Sequence, residues 1–315
     1  MAHSAKWISA QGDEPVTEVA ARTLKSRLEP VQRYLPLAAT KYEEDVEYIH
    51  QLRVWTRRAD AAIEMYRELL PKWRAAWIEK QLGRMRQATN DARDDDVFAR
   101  RLSDDKALAA AALLKRVSEH RAEAQQPVRE VYQRMTKKKG RFDRRVEKLL
   151  KRVRIRGKRR KSKEPSYRTW ASDHLRSILD EFFEVAEGDL NDTNRLHQFR
   201  IAGKKLRYAM ELLSAAFDAE LQNDAYPLFE TLQDQLGKVN DHASALDRIG
   251  HWVEENEDPD RANYLGEMLN REQEQLKESR QQFSAWWTAE RRNQMRDAFD
   301  RALSGSEVSK SSTNR

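Results

Sequence analysis

The chain has 315 residues, of which 39% are hydrophobic and 35% charged, with 10 Gly, 8 Pro, no Cys and a formal net charge of +7. That length suits two ordinary domains or one elongated unit, and the sparse Gly and Pro predict long helices. The lack of cysteine excludes disulfides, thiolate metal sites and cysteine nucleophiles, and fits a reducing compartment.

The first fifteen residues, MAHSAKWISAQGDEP, lack the apolar core of a signal peptide. No apolar run approaches the roughly 20 residues that span a bilayer, so a soluble cytoplasmic protein is expected. Apolar residues then recur at three and four nearly throughout, which predicts an all-α fold. The stripes are Leu24, Leu28, Val31, Leu35; Ile49, Leu52, Trp55, Ile63, Tyr66, Leu70; Trp73, Trp77, Leu82, Met85; and Leu175, Ile178, Phe182, Val185. Breaks are predicted at Pro36, Leu70-Pro71, Pro165, Glu187-Gly188, Tyr226-Pro227 and Asp258-Pro259, with a kink at Pro127. The tail 304–315 is poor in apolar residues and reads as disordered.

Charge is unevenly placed. Residues 137–163 carry 16 Lys or Arg against Asp143 and Glu147, a local charge of +14, which leaves −7 for the remainder. The segment reads as a basic linker or helix extension over 138–163, since Phe142, Val146, Leu149 and Leu150 permit a helix. It offers a contact for polyanions in general.

An internal repeat organises the rest. At an offset of 147 residues, 49-IHQLRVWTRR-58 falls on 196-LHQFRIAGKK-205, and 93-RDDDVF-98 falls on 240-NDHASA-245. Leu28 meets Leu175 and Val31 meets Ile178 in the same register. The protein is therefore read as two copies of one helical unit, 14–137 and 164–303.

On the repeated helix, His50, Arg53 and Arg57 fall within a stripe about 60° wide, opposite Leu52, Trp55 and Ile63. His197, Arg200 and Lys204 make the same stripe in the second copy, extended by Arg207, with Arg58 and Lys205 on the flank. A solubilising face interleaves both signs, whereas here Asp60 and Glu64 follow the basic run. Two such helices facing each other would line a groove with cations, which repel unless an anion lies between them. Arg forks and Lys point charges suit phosphate. Few aromatics interleave with this stripe, which disfavours single-stranded nucleic acid there and favours a linear polyphosphate.

These motifs, with LGRMRQATNDARDDDV and LQDQLGKVNDHASAL, resemble the CHAD family, named for its histidines in an α-helical domain. The resemblance covers about residues 14–300. It departs from the family pattern in extra residues between Gly83 and Arg93. It implies two pseudo-symmetric four-helix bundles forming one domain, with a central basic channel. It also implies binding of long-chain inorganic polyphosphate and association with polyphosphate granules, and other granule proteins are candidate partners. Binding roles carry over to His50, Arg53, Arg57, Arg58, His197, Arg200, Lys204, Lys205 and Arg207. Arg27 and His174, in register with each other, are further candidates for the channel.

Two other readings compete. An enzyme or accessory subunit of polyphosphate or triphosphate metabolism would need metal-holding carboxylates beside the basic stripe. Family members are sometimes fused to a triphosphate tunnel domain carrying ExExK, whereas 272-EQEQLK-277 misses that spacing. Asp91, Asp94 and Asp95 share a helix face, and are read as caps or arginine partners. The other competitor is a nucleic-acid-binding protein using the basic linker. Neither a metal site nor a cofactor is expected, because Arg53 and Arg57 beside His50 repel a divalent ion and the other histidines lack ligand spacing.

Overall fold

A computed structural model describes residues 6–103, 105, 107–160, 165–217, 219–254 and 258–308. Among these the regular structure is helical, with one isolated bridge between Pro15 and Ser166. The helices are α1 (Val16–Thr40), α2 (Glu47–Met65), α3 (Lys72–Ala88), α4 (Asn90–Ser103), α5 (Leu108–Glu123) and α6 (Gln125–Arg160). They continue as α7 (Tyr167–Ala186), α8 (Thr193–Leu213), α9 (Tyr226–Glu254), α10 (Pro259–Trp286) and α11 (Ala289–Val308). The all-α expectation is met. No helix among the described residues is long and apolar enough to cross a membrane.

The chain forms two compact units. One comprises 24–153 and 242–275, the other 1–23, 154–241 and 276–315, so the boundaries fall within α1, α6, α9 and α10. In the first, α4 and α5 pack with the later part of α9 and the earlier part of α10. The core there holds Phe98, Leu102, Leu113, Val117, Ile249, Trp252 and Leu265, with Phe98 stacked on Trp252 at 6.1 Å between ring centroids. In the second unit the core is aromatic: Phe182 stacks on Phe199 at 5.2 Å and meets Phe229 edge-on at 5.6 Å. Phe199 also meets Trp287 at 5.5 Å. Large rings of this kind supply most of the apolar area a small unit can bury.

Several predicted breaks stand where the local chemistry requires them. Asp258 accepts from Arg261 N at 3.0 Å, and Pro259 opens α10 at the first helical position, a cap and proline pair that starts a helix cleanly. Leu70-Pro71 separates α2 from α3, and Glu187 caps the end of α7. Pro36 is different. It lies inside α1, as does Pro30, because Leu24, Leu28, Val31, Leu35 and Ala38 keep one buried stripe through both prolines and packing outweighs their cost of about 3 kcal/mol each. Pro127 kinks nothing. A new helix begins at Gln125 and the proline sits in its first turn, where no N–H is needed.

The buried stripes also need adjustment. In α7 the buried residues are Leu175, Leu179, Phe182, Phe183 and Ala186 rather than Ile178 and Val185. In α3 they are Ala75, Ile78, Gln81, Leu82 and Met85, while Trp73 is 58% exposed. The basic segment read as linker or helix extension is helical as far as Arg160, with Phe142, Val146, Leu149 and Val153 buried. α11 runs to Val308, into the apolar-poor tail, and 309–315 lie outside the described residues.

Candidate anion-binding site

In the unit built on 24–153, α2 buries Ile49, Leu52, Trp55, Thr56, Ala59, Ala62 and Ile63. Its other face carries the expected basic stripe, and the fold sets that stripe against the junction of α3 and α4. The junction exists because Thr89 ends α3: its Oγ1 bonds back to Met85 O at 2.9 Å and Arg86 O at 3.0 Å, a local bond that competes with helix propagation.

Arg53 is fastened into this junction. Its Nη1 donates to Arg86 O at 2.7 Å, Asn90 Oδ1 at 2.7 Å and Thr89 Oγ1 at 3.1 Å. A guanidinium on the last carbonyls of a helix meets the negative end of its dipole and satisfies acceptors that the helix cannot. Arg53 thus has a capping role that its sequence position did not suggest. Burial, followed by repulsion from Arg57, Arg93 and Arg86, lowers its pKa from 12.5 to about 10, with Asp94 opposing.

The junction brings further cations to the stripe. Arg86 donates to Asp60 Oδ2 at 2.8 Å and to Thr56 O at 3.3 Å. Arg93 acts on both His50 and Arg53, and its Nη1 is buried with no hydrogen-bond partner among the described residues. Arg100 lies on the same side, 3.9 Å from Glu47, and Arg57 is exposed. His50 is consequently held below its usual 6.5, first by burial and then by Arg93, Arg57 and Arg100, with Glu47 opposing. A cluster of arginines around a neutral imidazole has donors in surplus and charge repulsion to relieve, which is the chemistry of an anion site.

Arg86, Arg93 and Arg100 were not among the residues singled out from sequence. They recur every seven residues, which was a usable signal. The internal repeat does not mark them, because their counterparts at the 147-residue offset are Gln233, Asn240 and Asp247. Of the remaining expected residues here, Arg58 lies over the Trp55 ring at 5.1 Å. Arg27 is only 2% exposed, with its guanidinium 5.8 Å from that ring, so it supports the helix rather than lining an open face. Asp94 and Asp95 pair with Arg248 at 2.7 and 3.7 Å, Asp95 bonds His120 at 2.7 Å and Asp96 bonds Arg121 at 2.7 Å. Asp94 and Asp95 are thus engaged by bases, as expected, and so is Asp96.

In the other unit, α8 is opened by Asp192, which accepts from Arg195 N at 2.8 Å, and it packs closely on α9. A Cβ at Gly203 would lie 2.5 Å from Gln233 Nε2, which explains a glycine where the first copy has Thr56. On the outward face His197 is exposed, and Arg200 and Lys204 are half-buried. Lys205 pairs with Glu181. Arg207 lies 3.9 Å from the buried Glu211 and 4.7 Å from the Tyr208 ring centroid. His174 stacks on Trp170 at 3.9 Å and its Nδ1 lies 2.8 Å from Trp170 O. The second helix thus carries His197, Arg200 and Lys204 on its outward face, and acids lie beside Lys205 and Arg207.

A CHAD domain family model matches residues 22–250. Among solved structures, the crystal structure of the CHAD domain from the plant Ricinus communis is similar, with a TM-score of 0.68, 20% identity, and coverage of 94% of this chain and 97% of that one. PptA from Streptomyces chartreusis is also similar, with a TM-score of 0.51, 21% identity, and coverage of 87% and 99%. None of the curated proteins matches the chain. The all-helical fold, the two basic helices at their fixed offset and a family match spanning most of the sequence agree, and the chain belongs to the CHAD domain family.

Proposed function

We propose that this protein binds long-chain inorganic polyphosphate through the basic faces of α2 and α8, without catalysing a reaction on it, and that it does so at polyphosphate granules in the cytoplasm. The observation that carries this reading is the cluster around α2. Arg57, Arg93 and Arg100 act on His50, Arg57, Arg86 and Arg93 act on Arg53, and a buried Arg93 Nη1 has no partner among the described residues. Such a cluster is costly when empty, and phosphate oxygens remove the cost by accepting from the forks and cancelling the repulsion. A linear polyphosphate supplies these oxygens repeatedly along one chain. The catalytic alternative is disfavoured by the pairing of Asp94, Asp95 and Asp96 with Arg248, His120 and Arg121, because carboxylates committed to bases are poor metal ligands.

Titration calorimetry with polyphosphates of graded length tests the reading. Affinity should rise with chain length and fall steeply with salt, and RNA of matched charge should compete weakly for the same faces. Charge reversal suits Arg57 and Lys204 better than Arg53, which is fastened to the end of α3. The pair Arg57→Glu with Lys204→Glu should remove most binding while leaving helicity intact. Wild-type affinity in that double variant would refute the assignment. A fluorescent fusion should collect on granules in polyphosphate-rich cells and disperse when both substitutions are present.

A further inference from the structure

The helix α3 presents two tryptophans away from its buried stripe: Trp73 meets arginines of its own helix and of α6, and Trp77 meets arginines of α6. The Trp73 ring, 58% exposed, has the Arg74 guanidinium 4.0 Å from its centroid and that of Arg145 at 5.7 Å. Arg145 also reaches Trp77 at 5.1 Å, Arg141 lies 5.5 Å from Trp77, and Phe142 backs that ring at 6.4 Å. On α6, Arg141, Arg145, Lys148 and Arg152 follow the spacing of one helix face, within about 60° of one another and over about 16 Å of axis. No acid interrupts those four positions. The α6 residues that pack inward, Phe142, Val146, Leu149 and Val153, point elsewhere.

We propose that this α3–α6 face is a second binding surface whose ligand is single-stranded nucleic acid, with a base stacking on Trp73 and the phosphate backbone following Arg141, Arg145, Lys148 and Arg152. The α2 stripe offers charge with little aromatic surface, which suits a chain without bases. Here an open indole lies among guanidinium planes beside a straight row of cations, the combination that binds single strands by stacking and charge together. A folded protein gains little from leaving a tryptophan open to water, and Trp and Arg are both among the residues enriched where protein surfaces take a partner. The inference does not rest on the polyphosphate assignment, because it uses none of the α2 or α8 cations.

The test compares labelled oligothymidylate with an abasic oligomer carrying the same number of phosphates, by fluorescence anisotropy on the full chain. Wild type should prefer the base-bearing strand by about fivefold or more, the worth of one stacked base, and that strand alone should quench tryptophan emission. Trp73→Ala should abolish the preference while leaving long-chain polyphosphate binding unchanged, with folding checked by circular dichroism. Trp73→Phe, the gentler substitution, should keep the preference while losing much of the quench. Equal affinity of wild type for the two oligomers would show a surface for bare phosphate chains and overturn the proposal. So would a preference that survives Trp73→Ala, or a loss of polyphosphate binding in that variant equal to the loss of oligonucleotide binding.

Discussion

Arg53 has two possible roles, helix cap and phosphate ligand, and Arg53→Met separates them. Methionine keeps most of the aliphatic stem and removes charge and donors. In the free protein two effects oppose. The drop in the Arg53 pKa from 12.5 to about 10 corresponds to about 3 kcal/mol against the charged form. The group is partly open to water, and screening reduces that to about 1–2 kcal/mol, which the variant recovers. Against this, the two protons of Nη1 serve Arg86 O, Asn90 Oδ1 and Thr89 Oγ1, and losing two bonds of about 1–1.5 kcal/mol each costs about 2–3 kcal/mol. The free variant should therefore be only about 1 kcal/mol less stable. With ligand the balance changes. If Arg53 contacts phosphate, its loss weakens affinity about tenfold, the worth of one charged hydrogen bond near 1.5 kcal/mol. At ligand a hundredfold above the wild-type Kd, wild type gains about 2.7 kcal/mol and the variant about 1.4. Urea denaturation followed by circular dichroism, with and without long-chain polyphosphate, should show the stability gap widening by about 1.3 kcal/mol. A gap that stays the same in both conditions would make Arg53 a cap alone and remove it from the site.

Three further outcomes are expected. His50 is held below its usual 6.5 by burial and by Arg93, Arg57 and Arg100; the unfolded chain therefore takes its proton first as pH falls, and stability present above about 6.5 is lost as pH drops through the folded value. A bound anion reverses this preference, so polyphosphate binding should take up a proton and tighten on acidification from pH 7.5 to 6, and His50→Gln should flatten the profile measured by calorimetry in buffers of different ionisation enthalpy. Gly157 is buried in α6 where an added Cβ would approach the Thr17 Cβ to 3.0 Å, and Thr17 is fully buried; Gly157→Ala should cost about 1–3 kcal/mol despite its better helix propensity, read as a lower urea midpoint at unchanged m-value. Gln125, fully buried, donates from Nε2 to Ala38 O at 2.7 Å at the end of α1 and accepts from Arg121 at 3.2 Å; Gln125→Leu should cost about 1–3 kcal/mol by leaving that carbonyl without its donor, seen as faster amide exchange in the last turn of α1.

The fold class was legible because helical periodicity is a local property: a stripe such as Leu24, Leu28, Val31 and Leu35 can be buried only by a helix. The two basic helices were legible for a different reason, since a repeat compares the sequence with itself and exposes His50 with His197 and Arg53 with Arg200 without any coordinates. What the sequence could not supply was the surroundings of each side chain. The contact of Arg53 with Arg86 O is made across 33 residues, and it depends on Thr89 ending one helix where another begins. Arg93 lies near His50 and Arg53, and Arg27 is buried, because burial and neighbours are decided by how helices pack and not by their spacing along one of them. The same holds for Trp73. In sequence it continues an apolar stripe; in the folded chain α3 buries Ala75, Ile78 and Met85 instead and leaves that ring in water beside the arginines of α6. Periodicity determined that the chain is helical and which face of α2 is cationic, while packing decided where several helices end and which of those cations also hold the fold together.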